Sequence, residues 1–197
     1  MLRVIAFSIS VIGAVGFVRN VAQRRLSAIN MISSGEEIPG GIAVDILEAS
    51  GSEYVDTACA DFSEELKKQK CAILFAVPGA FTPTCSEKHL PGFVEKAGEL
   101  KKKGVDAIYC MSVNDKFVMK AWAKSITGCS ESGIKMVGDG NAELTNAMGL
   151  TKDASGGRMG TRCTRFAAII ESGKVKEIFV DAAGFENSTA EKMLSLL

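Results

Sequence analysis

The stretch of this chain richest in reactive side chains reads Pro78-Gly-Ala-Phe-Thr82-Pro-Thr-Cys85-Ser-Glu-Lys-His89-Leu-Pro-Gly-Phe93. An apolar run ends at Val77, Pro78-Gly79 makes a turn, and a helical pattern starts at Thr84, so Cys85 falls in the first turn of a helix. Free N–H groups and about half a positive charge gather at such a terminus, which favours a thiolate over a thiol. A thiolate in that position is a competent nucleophile. Thr82 precedes the cysteine by three residues, bringing its hydroxyl within reach of the sulfur, and Pro78 is placed to shield the pocket from bulk water. A further cation is needed to hold the thiolate and polarise an incoming oxygen. Arg165, at the start of a later strand, is the best-placed candidate. His89 shares a helix face with Cys85 and is expected to support the site or line a substrate pocket. Phe81 is expected in the apolar part of that pocket, and Leu150 and Met159 either join it or belong to ordinary core.

Blander readings stand beside these. A free cysteine is among the most buried residue types, so Cys85 would also suit a structural thiol. Thr82 would also close a turn, and Arg165 would also serve as a surface charge. Cysteine hydrolase chemistry would use His89 as base, but no third group is evident to orient the imidazole.

The six cysteines are Cys59, Cys71, Cys85, Cys110, Cys129 and Cys163 among 197 residues, far below the density of a disulfide scaffold. No pair is spaced C-x-x-C and His89 is the one histidine, which excludes zinc-finger spacings and a thioredoxin-type dithiol. The thiols must act singly or as a distant pair.

The elements that must position this chemistry follow from periodicity. Residues 70–77 form a near-continuous apolar run, as in a strand buried on both faces. Residues 84–103 have helical spacing, with Leu90, Phe93, Val94, Ala97 and Leu100 on one face and Pro91 expected to kink it. A strand over 105–112 is followed by a helix over 115–124, capped by Asn114 or Asp115. A turn at Gly138-Asp-Gly-Asn141 precedes a short helix over 142–148, and Gly156-Gly157 marks a loop. Residues 165–170 and 174–180 about Ser172-Gly173 read as a hairpin, and Ser188 or Thr189 caps a final helix reaching Leu197. Parallel βαβ, then an antiparallel hairpin, then a closing helix is the order of a single-domain α/β, thioredoxin-like fold: a central mixed sheet flanked by helices, over residues 36–197.

Lys plus Arg equals Asp plus Glu at 23 each, so there is no charge excess to neutralise a phosphate backbone, and nucleic acid is not an expected partner. That balance conceals a polarity. Residues 1–35 hold Arg3, Arg19, Arg24 and Arg25 and no acid, leaving 19 of the 23 bases against all 23 acids elsewhere. With an apolar run over 4–18, residues 1–35 are expected to be a targeting segment outside the fold. The Arg-rich, acid-free, Ser-containing composition points to a mitochondrial transit peptide; a secretory signal and a short membrane anchor are the rivals, and no stable membrane anchoring is expected of the mature form.

Pro78-x-x-x-Thr82-x-x-Cys85 resembles the signature of peroxiredoxins, and Val77-Pro-Gly-Ala-Phe-Thr-Pro-Thr-Cys85 with His89-Leu-Pro-Gly-Phe93 is similar to the type-five and plant type-two members. The likeness continues through Lys96-Ala-Gly-Glu-Leu100, Ser112-Val-Asn-Asp115 and Arg165-Phe166. It implies an antioxidant thiol peroxidase that reduces hydrogen peroxide and alkyl hydroperoxides through a cysteine sulfenic acid, with no metal or organic cofactor. It further implies re-reduction by glutathione and glutaredoxin or by thioredoxin, and a homodimer. By this resemblance Cys85 is the nucleophile, Thr82 its hydrogen-bond partner, Arg165 the polarising cation and Pro78 the pocket wall. Animal type-five members carry a resolving cysteine before the last helix, where this chain reads Ala183-Gly-Phe-Glu-Asn-Ser-Thr-Ala190. The plant branch has one 25 residues after the first, the spacing of Cys110 from Cys85; Cys110 is thus either a resolving thiol or an inert one in a strand. A peroxide-sensing relay protein using the same cysteine is the alternative to an enzyme that turns over.

Overall fold

The computed structural model describes residues 30–197. The expected targeting segment falls almost wholly outside the described residues. Seven strands form one mixed sheet, in the spatial order Glu53–Cys59, Val44–Ser50, Lys135–Gly138, Ala107–Ser112, Ala72–Val77, Arg165–Glu171 and Lys174–Asp181. The strands are β1 (Val44–Ser50), β2 (Glu53–Cys59), β3 (Ala72–Val77), β4 (Ala107–Ser112), β5 (Lys135–Gly138), β8 (Arg165–Glu171) and β9 (Lys174–Asp181). A separate two-stranded ribbon pairs β6 (Thr151–Asp153) with β7 (Thr161–Cys163). Strands β3, β4 and β5 run parallel, while β8 is antiparallel to β3 and to β9.

Every residue of β3 and β4 is buried, because helices cover both faces of the sheet. Alternation along β3 then divides the core into two layers. Ile73, Phe75 and Val77 face α2 (Leu90–Lys102), α3 (Lys116–Ser125) and the closing helix α6 (Ala190–Leu194), meeting Leu90, Phe93, Trp122 and Met193. Ala72, Leu74 and Ala76 face the other side, where Phe62 and Leu66 of α1 (Phe62–Lys67) and Leu144 of α5 (Glu143–Ala147) pack. The short α4 (Cys129–Ser132) completes the first layer through Cys129.

The packed chain reaches back past Glu36. Ile32 and Ile38 are buried in the second layer, the Ile32 N–H donates to Met148 O at 2.9 Å, and the Gly35 N–H donates to Val175 O at 2.7 Å. The kink expected at Pro91 takes a different form. Residues Cys85–His89 make a π-helical turn, closed by the Leu90 N–H on the Cys85 carbonyl, and α2 then starts afresh at Leu90. Pro91 thereby sits in the first turn of α2, where its missing N–H costs nothing. At the end of the chain Thr189 caps α6, accepting from the Lys192 N–H at 3.1 Å, and the helix stops at Leu194 rather than Leu197.

Candidate active site

Cys85 stands beyond the carboxyl end of β3, fully buried, within the first helical turn, which is closed by the Ser86 N–H on Thr82 O at 3.0 Å. The N–H groups of Thr84 and Cys85 precede that bond and point out of the turn. The loop leading to it is held from β4. Asn114 Oδ1 accepts the Ala80 N–H at 3.0 Å and the Ser112 hydroxyl at 2.8 Å, leaving Asp115 to cap α3 through the Phe117 and Val118 N–H groups. Arg162 braces the segment after β4 next to Asn114, donating to Val113 O at 3.0 Å as well as to Met159 O at 2.8 Å. From below, the buried Trp122 indole N–H donates to Ser86 Oγ at 2.9 Å, next to the cysteine.

The pleat decides where Arg165 points. Ala76 pairs with Phe166, so Arg165 lies level with the end of β3, and it shares a face with Ala167 and Ile169, the face covered by α2. Arg165 is buried, with 7% of the residue exposed. One terminal nitrogen donates toward Cys85 Sγ at 3.5 Å and the other to His89 Nδ1 at 3.0 Å. Because arginine only donates, His89 Nδ1 must accept, so the imidazole is the neutral Nε2–H form, donating to Ser188 O at 2.9 Å. Burial, reinforced by the Arg165 charge, holds the His89 pKa down to about 3. Phe75, Phe93 and Phe185 pack around the ring, with centroids 5.0, 5.6 and 4.9 Å away. Phe185 also lies against the guanidinium, its centroid 5.5 Å from Arg165 Cζ.

A cleft of about 380 Å³ opens onto this group, bordered by Pro78, Thr84, Lys88, Arg165 and Phe185 among others. Pro78 and Arg165 border this cleft, and Arg165 reaches inward to the buried Cys85 and His89, which do not line it. Thr82 lies beside them, but its hydroxyl donates to Gly79 O at 2.9 Å and not to the sulfur. Phe81 is outside the cleft lining, 55% exposed and held at φ 61°. Leu150 is buried in the second core layer and Met159 is exposed, so neither lines the cleft. Both nitrogens of His89 are committed away from the sulfur, which removes the base that a cysteine hydrolase would need. Cys110 lies in β4 on the α2 side of the sheet, and burial pushes its thiol well above the usual range, with Cys129 and Cys85 adding to the effect. Phe185, Asp181 and Trp122 escaped the sequence reading. Only Trp122 carried a signal, as a lone tryptophan on a helix face.

The Redoxin family profile matches residues 48–194. Over 174 residues the chain is 45% identical to rice (Oryza sativa subsp. japonica) "Peroxiredoxin-2E-2, chloroplastic", covering 87% of this chain and 75% of that protein. It is 42% identical over 187 residues to Arabidopsis thaliana "Peroxiredoxin-2E, chloroplastic", covering 91% and 79%. Among solved structures, reduced Prx3 from Vibrio vulnificus in complex with H2O2 superposes with a TM-score of 0.73 at 42% identity, covering 85% of this chain and 100% of that one. The chain belongs to the peroxiredoxins of the plant type-two kind, with a thioredoxin-like fold, and is a thiol-dependent peroxidase acting on peroxides. The mitochondrial expectation is corrected by these relatives, whose names are chloroplastic. Arg-rich, acid-poor, Ser-containing leaders are common to both organelles, so composition did not separate them.

Proposed function

We propose that Cys85 is the peroxidatic nucleophile, Arg165 its electrostatic partner, and Thr82 and Pro78 the rest of the reacting pocket. The Arg165 fork, 3.5 Å from Sγ on one arm and 3.0 Å from His89 Nδ1 on the other, carries this reading. The Cys85 thiolate attacks the terminal oxygen of ROOH, forming the S–O bond as the O–O bond breaks. The alkoxide leaves with the O–O electron pair, takes up a proton as ROH, and Cys85 is left as the sulfenic acid. The remaining guanidinium N–H groups and the free N–H groups of Thr84 and Cys85 stabilise charge on the two oxygens. Since the Thr82 proton is committed to Gly79 O, its oxygen lone pairs are left to accept the peroxide O–H.

Resolution by an external thiol fits best. Attack on a sulfenic acid needs a thiolate, and the burial of Cys110 in β4, between β3 and β5, disfavours one. Glutathione attacks Cys85–SOH and expels water, and a second thiol, from glutaredoxin, then attacks the glutathione sulfur and releases Cys85; thioredoxin is the other reductant of this kind. The proposed setting is a plastid, in line with the chloroplastic relatives. The proposed assembly is a homodimer that covers the exposed Phe81 and Phe117. Replacing Cys85 by serine tests the assignment: peroxide turnover is expected to vanish with the fold retained, and surviving turnover would overturn it.

A further inference from the structure

Asp181 ends β9 directly opposite Arg165 in the hairpin register, yet among the described residues it forms no ion pair with it. Its carboxylate turns instead into the segment that follows and gathers five donors. These are the N–H groups of Glu186 at 3.2 Å, Asn187 at 3.0 Å and Ser188 at 3.0 Å, the Asn187 side-chain amide at 2.9 Å and the Ser188 hydroxyl at 2.7 Å. This many neutral donors satisfy the carboxylate without a cation. The electrostatic consequence is direct: a carboxylate paired with Arg165 would compete with the thiolate for the same guanidinium.

The folded segment delivers two groups to the site. The Ser188 carbonyl accepts from His89 Nε2–H at 2.9 Å, and Phe185 lies against both the imidazole and the guanidinium. The Ser188 contact selects the His89 tautomer, and only that tautomer offers Nδ1 as acceptor to Arg165.

We propose that Asp181 is a positioning residue for the peroxide reaction. By folding residues 182–188 around its carboxylate, it fixes the Ser188 carbonyl on His89, and through the His89 tautomer it aims the Arg165 guanidinium at Cys85. The proposal rests on the site reading given under Proposed function: Asp181 and Ser188 act through His89 on Arg165, the one group of this relay that meets Cys85 Sγ.

The test uses the full chain labelled with 15N-histidine, in which His89, the one histidine, gives the whole signal. Wild type is expected to show a single neutral Nε2–H tautomer with a slowly exchanging ring proton. In Asp181→Asn, whose amide cannot accept all five donors, that proton should exchange rapidly or the two tautomers mix, and the second-order rate with hydrogen peroxide should fall about tenfold. Ser188→Ala keeps the carbonyl and removes one donor, so it gives a milder version, about threefold, should Asp181→Asn not fold. Arg165→Gln is run alongside. If it slows the reaction while the folded Asp181 or Ser188 variant leaves both the histidine signal and the rate unchanged, the positioning proposal is overturned alone. If Arg165→Gln has no effect, the site reading itself falls.

Discussion

A buried neutral histidine makes stability depend on pH in a calculable way. The His89 pKa is about 3 in the folded chain, against about 6.5 in an unfolded one. Between those values the unfolded state binds a proton that the folded state refuses. Stability is therefore fully present above pH 6.5 and declines as pH falls toward 3. At pH 5 the loss relative to pH 7 works out to about 2 kcal/mol for this single group. Ordinary carboxylates titrate largely below this window, and Asp181, at about 2, contributes to acid unfolding only further down. The charged groups facing His89 are Arg165 and, more distantly, Asp181, whose carboxyl at about 2 stays ionised between pH 5 and 7. Urea unfolding at pH 7 and pH 5 measures the effect, with a midpoint lowered by about 1 M at a typical slope of about 2 kcal/mol per molar. His89→Gln supplies the control, since its amide is able to accept from Arg165 and donate to Ser188 O without titrating. Equal midpoints in wild type at the two pH values, or the same decline in His89→Gln, would refute the reasoning.

Arg165→Gln keeps hydrogen bonding but removes the charge, and is expected to slow the reaction with hydrogen peroxide about 100-fold or more in stopped-flow measurements, as for loss of one preorganised stabiliser. Trp122→Phe loses the indole donor to Ser86 Oγ and leaves a void in the first core layer; about 1–3 kcal/mol of stability should go, read by urea unfolding. Peroxide-treated protein exposed to glutathione should yield glutathionylated Cys85 in peptide mass spectrometry, and a Cys85–Cys110 linked peptide as the main product would overturn external resolution.

Strand β3, the turn after it and the β8–β9 hairpin were legible because each announces itself locally, by an unbroken apolar run or by Ser172-Gly173 between apolar segments. The β1–β2 hairpin was not. Tyr54 is the one buried residue of β2, so this edge strand lacks the alternation that marks a half-buried strand. Strand β5 spans four residues, too few for a period. In the candidate site, the nearness of Cys85 and Arg165 could be anticipated from motif and topology and His89 was expected to support them, but the hydrogen bonds that His89 makes could not be read from the sequence. One of these bonds depends on Ser188, 99 residues away, whose carbonyl meets the ring only after the segment folds around Asp181. Ser188 and Thr189 looked equivalent as helix caps, and a carboxylate from another element claimed the first. The 25-residue spacing of Cys110 was plain in the sequence, whereas its depth in the sheet is a tertiary property.

On the proposed reading, peroxide oxidises one of the six thiols because the fold sets a helical turn and a guanidinium against it, beside a cleft. Trapping the product with a sulfenic-acid-selective nucleophile after one equivalent of hydrogen peroxide, followed by peptide mapping, tests this most directly. The adduct is expected on Cys85 and on no other cysteine; an adduct on Cys59, Cys71, Cys110, Cys129 or Cys163 in place of Cys85, with peroxide consumed, would contradict the account.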